Sequence, residues 1–339
     1  MAEAEGTVLA HSMVCTSGAG KLYRIAKGTV LTRDHIRDLA TGGDQMVTVA
    51  RLDPGDVAED DAARHLAEAI VPDPAGQGLR ISGAGAGRVN LYAARAGVVR
   101  LNVAAIEAVN GVDPMITIAT VPDHHRSDAS SMLATVKIIS YGVPAQALQQ
   151  AADRGAGAIT VLAPIYKTAT LIETLLSPEP PSEKGRHAIA ARLERMGMRL
   201  TPRAFANHDE AGLARAIADA PGEVILILTA SATSDPMDVG PAALIRAGGQ
   251  MTRFGMPVDP GNLLFLGQLG DRPVIGLPGC ARSPALNGAD WILERVICGL
   301  KVTNQDIAAM AVGGLLKEIP TRPQPRAGGA RAGDGSPLF

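Results

Sequence analysis

The stretch Glu223-Val-Ile-Leu-Ile-Leu-Thr-Ala-Ser-Ala-Thr-Ser-Asp-Pro-Met-Asp-Val239 sets the fold. Five consecutive aliphatic residues, Val224 to Leu228, suit a central parallel strand covered on both faces, because an alternating pattern would leave one face for water. Small and hydroxyl residues follow, and a helix is expected from about Val239. The same strand, loop and helix recur on both sides. Upstream, Thr168–Leu175 reads as a strand, 177–185 as a loop, and Ile189, Leu193 and Met196 fall at helical spacing before a Gly197 stop. A short strand over Arg199–Ala204 and an Asp209-capped helix carrying Leu213 and Ile217 come next. Downstream lie a helix ended by Gly248 and Gly249, a strand near Met251–Phe254, a hairpin of Leu263–Leu269 with Pro273–Leu277, and a helix over Pro284–Cys298. Alternation at this spacing predicts a three-layer α/β domain with a largely parallel sheet over 166–316.

The preceding 165 residues read as a mixed α/β region. Thr32 caps a helix over Arg33–Thr41 that Gly42 and Gly43 close, and 45–52 suggests a strand. Asp56 with Glu59 forms a carboxylate version of the capping box, opening a helix over Val57–Ile70. From 79 to about 143 the texture is β-rich, with runs at Val89–Ala93, Val98–Leu101, Met115–Val121 and Met132–Tyr141. The tail, 317–339, is rich in Pro, Gly and Arg without periodicity and is expected to be disordered.

Composition excludes several classes. The 339 residues carry a net charge of −2 and only nine aromatics against 38 Gly and 23 Pro. Few rings and no basic stripe argue against nucleic acid, and the balanced charge argues against an anionic membrane surface. Three cysteines at unrelated spacings (Cys15, Cys280, Cys298) make neither a disulfide framework nor a zinc site. With no signal-like opening and no apolar run of about 20 residues, a cytoplasmic protein is expected.

In open α/β sheets ligands bind beyond the carboxyl ends of the strands, which singles out two loops. The first is Thr229, Ala230, Ser231, Ala232, Thr233 and Ser234, running to Asp235 and Asp238. Its small residues allow close approach to a ligand, and the two carboxylates could hold Mg2+ or polarise phosphates. Equally, Asp238 could be an N-cap and Asp235-Pro236 a turn. The second is Pro278, Gly279, Cys280, Ala281, Arg282 and Ser283. Ser283-Pro284 resembles a helix start, whose dipole would face the loop while Arg282 binds phosphate. A sharp turn with a solvated arginine is the alternative. Weaker features are the Gly83, Gly85, Gly87 run, which lacks the dinucleotide fingerprint, the His124-His125 pair, which lacks a third ligand, Cys280 without a partner histidine, and Lys184, which could reach an anion.

These loops carry a resemblance. About 166–300 resembles the MogA/MoeA-like molybdopterin-binding domain of molybdenum cofactor biosynthesis. Gly276-Leu-Pro-Gly-Cys-Ala-Arg-Ser283 looks like that family's Leu-Pro-Gly-Asn-Pro-Val-Ser loop, and 230–238 stands where it has a glycine pair leading to an aspartate, matched by Asp238. A closer likeness is to bacterial molybdopterin-binding proteins that occur alone or fused to a MobA-like nucleotidyltransferase. Their Gly-Met-Pro-Val-Asp-Pro-Gly-Asn-Leu and Pro-Gly-Cys-Ala-Arg-Ser-Pro blocks are similar to Gly255–Leu263 and Pro278–Pro284, with Lys27-Gly-Thr-Val-Leu31 and Pro54-Gly-Asp-Val57 in addition. The resemblance implies molybdopterin as ligand or substrate at 229–234 and at Pro278, Gly279, Arg282 and Ser283. It also implies Asp235 and Asp238 as catalytic and Mg2+-binding residues, with ATP for adenylylation or molybdate for insertion. A homo-oligomer, dimer or trimer, and partners among cofactor-biosynthesis proteins or a molybdoenzyme are further implications. Ala230 and Ser231 replace the glycine pair and Cys280-Ala281 replaces Asn-Pro, so a carrier that delivers the cofactor without catalysis stands beside the enzyme. A CinA-like pyridine-nucleotide hydrolase is a third alternative.

Overall fold

The computed structural model describes residues 2–43 and 46–318. Of the tail expected to be disordered over 317–339, residues 317 and 318 instead belong to a 3₁₀ turn over Leu316–Glu318, with Lys317 ion-paired to Asp259, and the rest lies outside the described residues, as does Gln45 in the expected 45–52 strand, of which Val49–Ala50 is strand. The chain forms two compact units, 1–95 with 99–161 and 96–98 with 162 onward.

The first unit holds a four-stranded antiparallel sheet in the order Leu79–Ile81, Arg88–Ala93, Met132–Ile138, Ile116–Thr120. Val89, Leu91 and Val136 are buried on it together with Leu66 and Ile70 of helix Glu59–Ile70 and Leu148 of helix Ala145–Gly155. The β-rich segment also contains a helix the strand-like texture hid, Val103–Asn110, capped by Asn102 and stopped at Gly111. The expected capping box at Asp56 does not form. Residues Asp56–Ala58 pair as a strand with Gly142–Pro144, the Asp56 carboxylate accepts from Asp53 N–H, and the helix begins at Glu59 without a side-chain cap. The helix Arg33–Thr41 has the expected start, with Thr32 accepting from His35 N–H, and Leu39 packs with Leu9, Ile25 and Leu31.

The second unit carries a seven-stranded sheet. Its elements are β1 (Thr168–Leu175), α1 (Lys184–Glu194), β2 (Arg199–Leu200), β3 (Ala204–Asn207), α2 (Glu210–Asp219), β4 (Val224–Leu228), α3 (Val239–Arg246), β5 (Gln250–Phe254), β6 (Phe265–Leu269), β7 (Arg272–Gly276) and α4 (Gly288–Ile297). The order is β2, β1, β4, β7, β6, β5, with β3 also on β1. β1 runs parallel to β2, β3 and β4, and β4 to β7, while β6 is antiparallel to both its neighbours. The expected single strand over 199–204 is split into β2 and β3.

All five residues of β4 are buried, and they serve two cores. Leu226 and Leu228 join Leu171 of β1, Ile189 and Leu193 of α1, and Ile292 and Leu293 of α4. Ile225 and Ile227 join Leu213 and Ile217 of α2 and Leu244 of α3 on the other face. Helices on both faces of a largely parallel sheet make the three-layer architecture, and each buried Leu or Ile contributes about 1.5–3 kcal/mol. Because β1, β4 and β7 are parallel, their carboxyl ends share one edge, and the loops after Leu175, Leu228 and Gly276 leave from it.

Candidate functional site

At this edge of the second unit lies a cleft of about 780 Å³. Pro181 and Ser182 line it from the β1–α1 connection, Lys184 and Gly185 from the first turn of α1, Glu173 from β1, and Arg195 from beyond α1. Gly279, Cys280, Arg282, Ser283, Pro284 and Ala285 line it from the segment after β7. Of the second predicted loop, Gly279, Arg282 and Ser283 therefore reach the cleft, whereas Pro278 is buried. Lys184, Arg195 and Arg282 give it positive charge. Gly185 permits close approach of the two segments, since a Cβ there would lie 3.2 Å from the Arg282 side chain.

The expected helix start at Ser283-Pro284 is not used. Residues Gly279–Arg282 form a 3₁₀ turn, Ser283 is extended (φ −91°, ψ 146°), and α4 begins at Gly288 behind Asn287. Asn287 accepts from Ala289 N–H and donates its own N–H to Asp290, a capping box that outcompetes the serine. The other reason is Arg192 of α1. Its guanidinium donates to the carbonyls of Ala281 (3.0 Å), Ser283 (2.8 Å) and Ala285 (3.1 Å), and to the Asp290 carboxylate. Carbonyls held by a side chain are withdrawn from a helical ladder. The helix whose first residues line the cleft is consequently α1, not α4.

The first predicted loop behaves differently. Thr229 and Thr233 are buried and pair through their hydroxyls (3.2 Å), and Ala230 N–H donates to Thr174, itself paired with His208. Ala230, Ser231, Ala232 and Ser234 are exposed, and none of residues 229–238 has a positive φ. The two loops meet at one bond, from Arg282 Nη2 to the Thr229 carbonyl (2.6 Å), and residues 230–238 do not line the cleft.

The carboxylates of Asp235 and Asp238 serve their own backbone. Asp235 accepts from Met237 N–H (2.7 Å). Asp238 is the N-cap of α3 and accepts on both oxygens, from Val239 N–H (2.7 Å) and Ser234 N–H (3.1 Å). Mg2+ sites need carboxylate oxygens turned to the ion, in addition to water and substrate phosphates. Asp238 thus accepts one backbone N–H on each oxygen and Asp235 one on Oδ1, so both carboxylates help hold the loop while lone pairs remain on each. Among the described residues no group of three or more His, Cys, Asp or Glu side chains is placed to hold a metal ion. His124 and His125 follow suit: His124 turns into the left-handed region (φ 61°) and pairs with Asp123 at 2.9 Å.

Sequence reasoning missed Glu173 with its partner Arg203, Arg192 and Arg195. Glu173 is 2% exposed, and Arg203 grips its carboxylate through Nε (2.7 Å) and Nη2 (3.3 Å). Its signal was available, since a carboxylate interrupts the apolar run of β1. Arg192 had no signal, being one of two arginines in its helix. Cys280 is half-buried at the cleft, and burial pushes its thiol above the usual range. The Gly83, Gly85, Gly87 run sits in the first unit as a loop, with Gly87 N–H held by Asp60.

Comparisons with known proteins come to the following. Residues 1–51 match a family model described as a domain of unknown function, DUF8806. No curated protein matches. Among solved structures, the chain is similar to a molybdopterin biosynthesis MoeA protein from Pyrococcus horikosii at 15% identity, over 66% of this chain and 74% of that one, with a TM-score of 0.27. It is similar to molybdenum cofactor biosynthesis protein B at 13% identity, over 39% of this chain and 88% of that one, with a TM-score of 0.28. At such scores neither alignment assigns a role to any residue of this chain.

Proposed function

We propose that the second unit binds molybdopterin in the cleft beyond β1 and β7, with the ligand's phosphate held by Lys184, Arg195 and Arg282. The observation that carries this reading is the convergence of three cations on one cleft at the carboxyl edge of a parallel sheet, in the loop whose sequence resembles molybdopterin-binding proteins. Arg282, fixed by its bond to the Thr229 carbonyl, presents the rest of its planar fork to a bidentate oxyanion. Isothermal titration calorimetry with molybdopterin tests it. Micromolar binding that weakens at least tenfold in Arg282→Ala supports the reading, and absence of heat with the intact protein defeats it.

Two forms of this function differ in chemistry. In the catalytic form, ATP adenylylates molybdopterin or molybdate enters the adenylylated pterin, and positioning with charge neutralisation does most of the work. Asp235 and Asp238 would then offer their remaining lone pairs to a Mg2+ that arrives with the substrate. In the carrier form the protein holds the cofactor for a partner of the same pathway. The capping role of Asp238 favours the carrier. Release of pyrophosphate from ATP and molybdopterin in Mg2+ separates them, because a carrier releases none. Hydrolysis of a pyridine nucleotide without pterin binding would select the CinA-like alternative instead.

A further inference from the structure

We infer that the cleft takes an elongated ligand with two separate anionic groups, one held by Lys184 and Arg282 and the other by Arg195. The inference rests on the reading of this cleft as the ligand site and sharpens it: the phosphate stays with Lys184 and Arg282, and Arg195 receives an anion of its own.

The cleft follows α1 along its length. Lys184 opens the helix, and Arg195 is its C-cap, still in helical conformation (φ −57°, ψ −28°). At a rise of about 1.5 Å per residue, the step from 184 to 195 separates their Cα atoms by about 16 Å. Side chains on a helix lean toward its N-terminus, so Arg195 leans back toward Lys184 by about as much as Lys184 leans away, and the two charges stay far apart. One tetrahedral anion cannot touch both. On the helix face between them, Ala188 and Ala191 fall at i+4 and i+7 from Lys184 and end in methyl groups.

The opposite wall runs in the same direction. Arg282 lies against the first turn of α1, at Gly185. Ser283 and Ala285 lie against its third turn, where their carbonyls accept from Arg192. Arg282 therefore lines the Lys184 end of the cleft and Ala285 the Arg195 end.

The cations at both ends are open to a ligand. Among the described residues no carboxylate pairs with Lys184, Arg195 or Arg282; Glu183, next to Lys184, faces His187 and Arg203 (3.5 Å each), and the Glu173 carboxylate is gripped by Arg203. α1 has neither a side-chain cap nor an acidic residue in its first turn, so Lys184 and the positive end of the helix dipole both favour an anion there. At the other end the dipole accounts for a cation, but not for one that opens on the cleft beside Ala285.

Calorimetry of the full chain with octylphosphonate and octane-1,8-bisphosphonate tests this, since the two share a chain and differ by one anionic group. The expected result is at least tenfold tighter binding of the bisphosphonate, because its second contact is intramolecular. Arg195 is exposed, so Arg195→Ala keeps the fold, and it should bring the bisphosphonate to within about twofold of octylphosphonate. Arg282→Ala should weaken both probes. Equal affinity of the two probes for the intact protein, or an advantage that survives Arg195→Ala, overturns the two-ended cleft and leaves the molybdopterin reading standing. Binding of neither phosphonate overturns the two-ended cleft together with the phosphate anchor of that reading.

Discussion

Two loops leave the same edge of one sheet and end up chemically opposite. The 277–287 segment has its carbonyls drawn inward by Arg192, a side chain from a neighbouring helix, and turns Arg282 and Ser283 to the cleft. The 229–238 segment is organised from within, by two threonines and two aspartates that bond hydroxyls and backbone N–H groups of the same stretch. Polar residues in a loop are thus no guide to ligand binding until their partners are counted. A residue whose hydrogen bonds are satisfied locally has little to offer a ligand, whereas a loop anchored through its main chain keeps its side chains available.

Removing the anchor should have the largest effect. Arg192→Ala leaves Asp290 buried without its cation and three carbonyls without a donor, and should cost about 3–5 kcal/mol in urea unfolding, with pyrophosphate binding lost as well. A loss below about 1 kcal/mol would show that the loop holds its shape unaided. Next comes Arg282→Ala, expected to weaken pyrophosphate at least tenfold while Arg282→Lys recovers only part, because an ammonium cannot pair bidentately. Equal affinity across the three proteins would move the anion away from this loop. In the other loop Asp238→Ala should cost about 1 kcal/mol through the lost cap, and Asp238→Asn much less. Should the Asn variant instead lose Mg2+-dependent ATP binding while keeping its stability, the carboxylate serves a metal and the contrast between the loops collapses. The smallest effect is at Cys280. Burial raises its thiol pKa, so less thiolate is present at pH 8 than for an ordinary cysteine, and iodoacetamide should react a few-fold more slowly than with a solvated thiol. Its rate should climb with pH and fall when pyrophosphate fills the cleft.

The parts of the fold legible in the sequence were those written in local pattern. The aliphatic run of β4 named the central strand, and Thr32, Asp209 and Asp238 marked three helix starts where they occur. Failures arose where tertiary partners outvoted a local signal. Asp56 was drawn into strand pairing, and Ser283-Pro284 lost to Asn287 with Asp290 and to the pull of Arg192. The helix Val103–Asn110 was hidden because Val and Ile serve either state, although Asn102 and Gly111 flanked it. At the cleft, position beyond strand ends was readable, and so were Gly279, Arg282 and Ser283. Arg192 and Arg203 were not, since nothing in a helix or strand distinguishes an arginine that grips distant groups from one that faces water.

Anchoring by Arg192 has a consequence for how the cleft can be changed. The Arg192 bonds at Ala281, Ser283 and Ala285 go to carbonyls, which every amino acid possesses, so the path of the chain there is set independently of which side chains it carries. Cys280 and Ala285 can therefore be randomised together as an engineering library that alters what the pocket accepts while its backbone stays in place, whereas the Ser283 hydroxyl also accepts from Ala285 N–H and is best kept. The same independence gives natural drift a route: ligand preference can wander at these positions without a stability toll, provided the helix arginine remains.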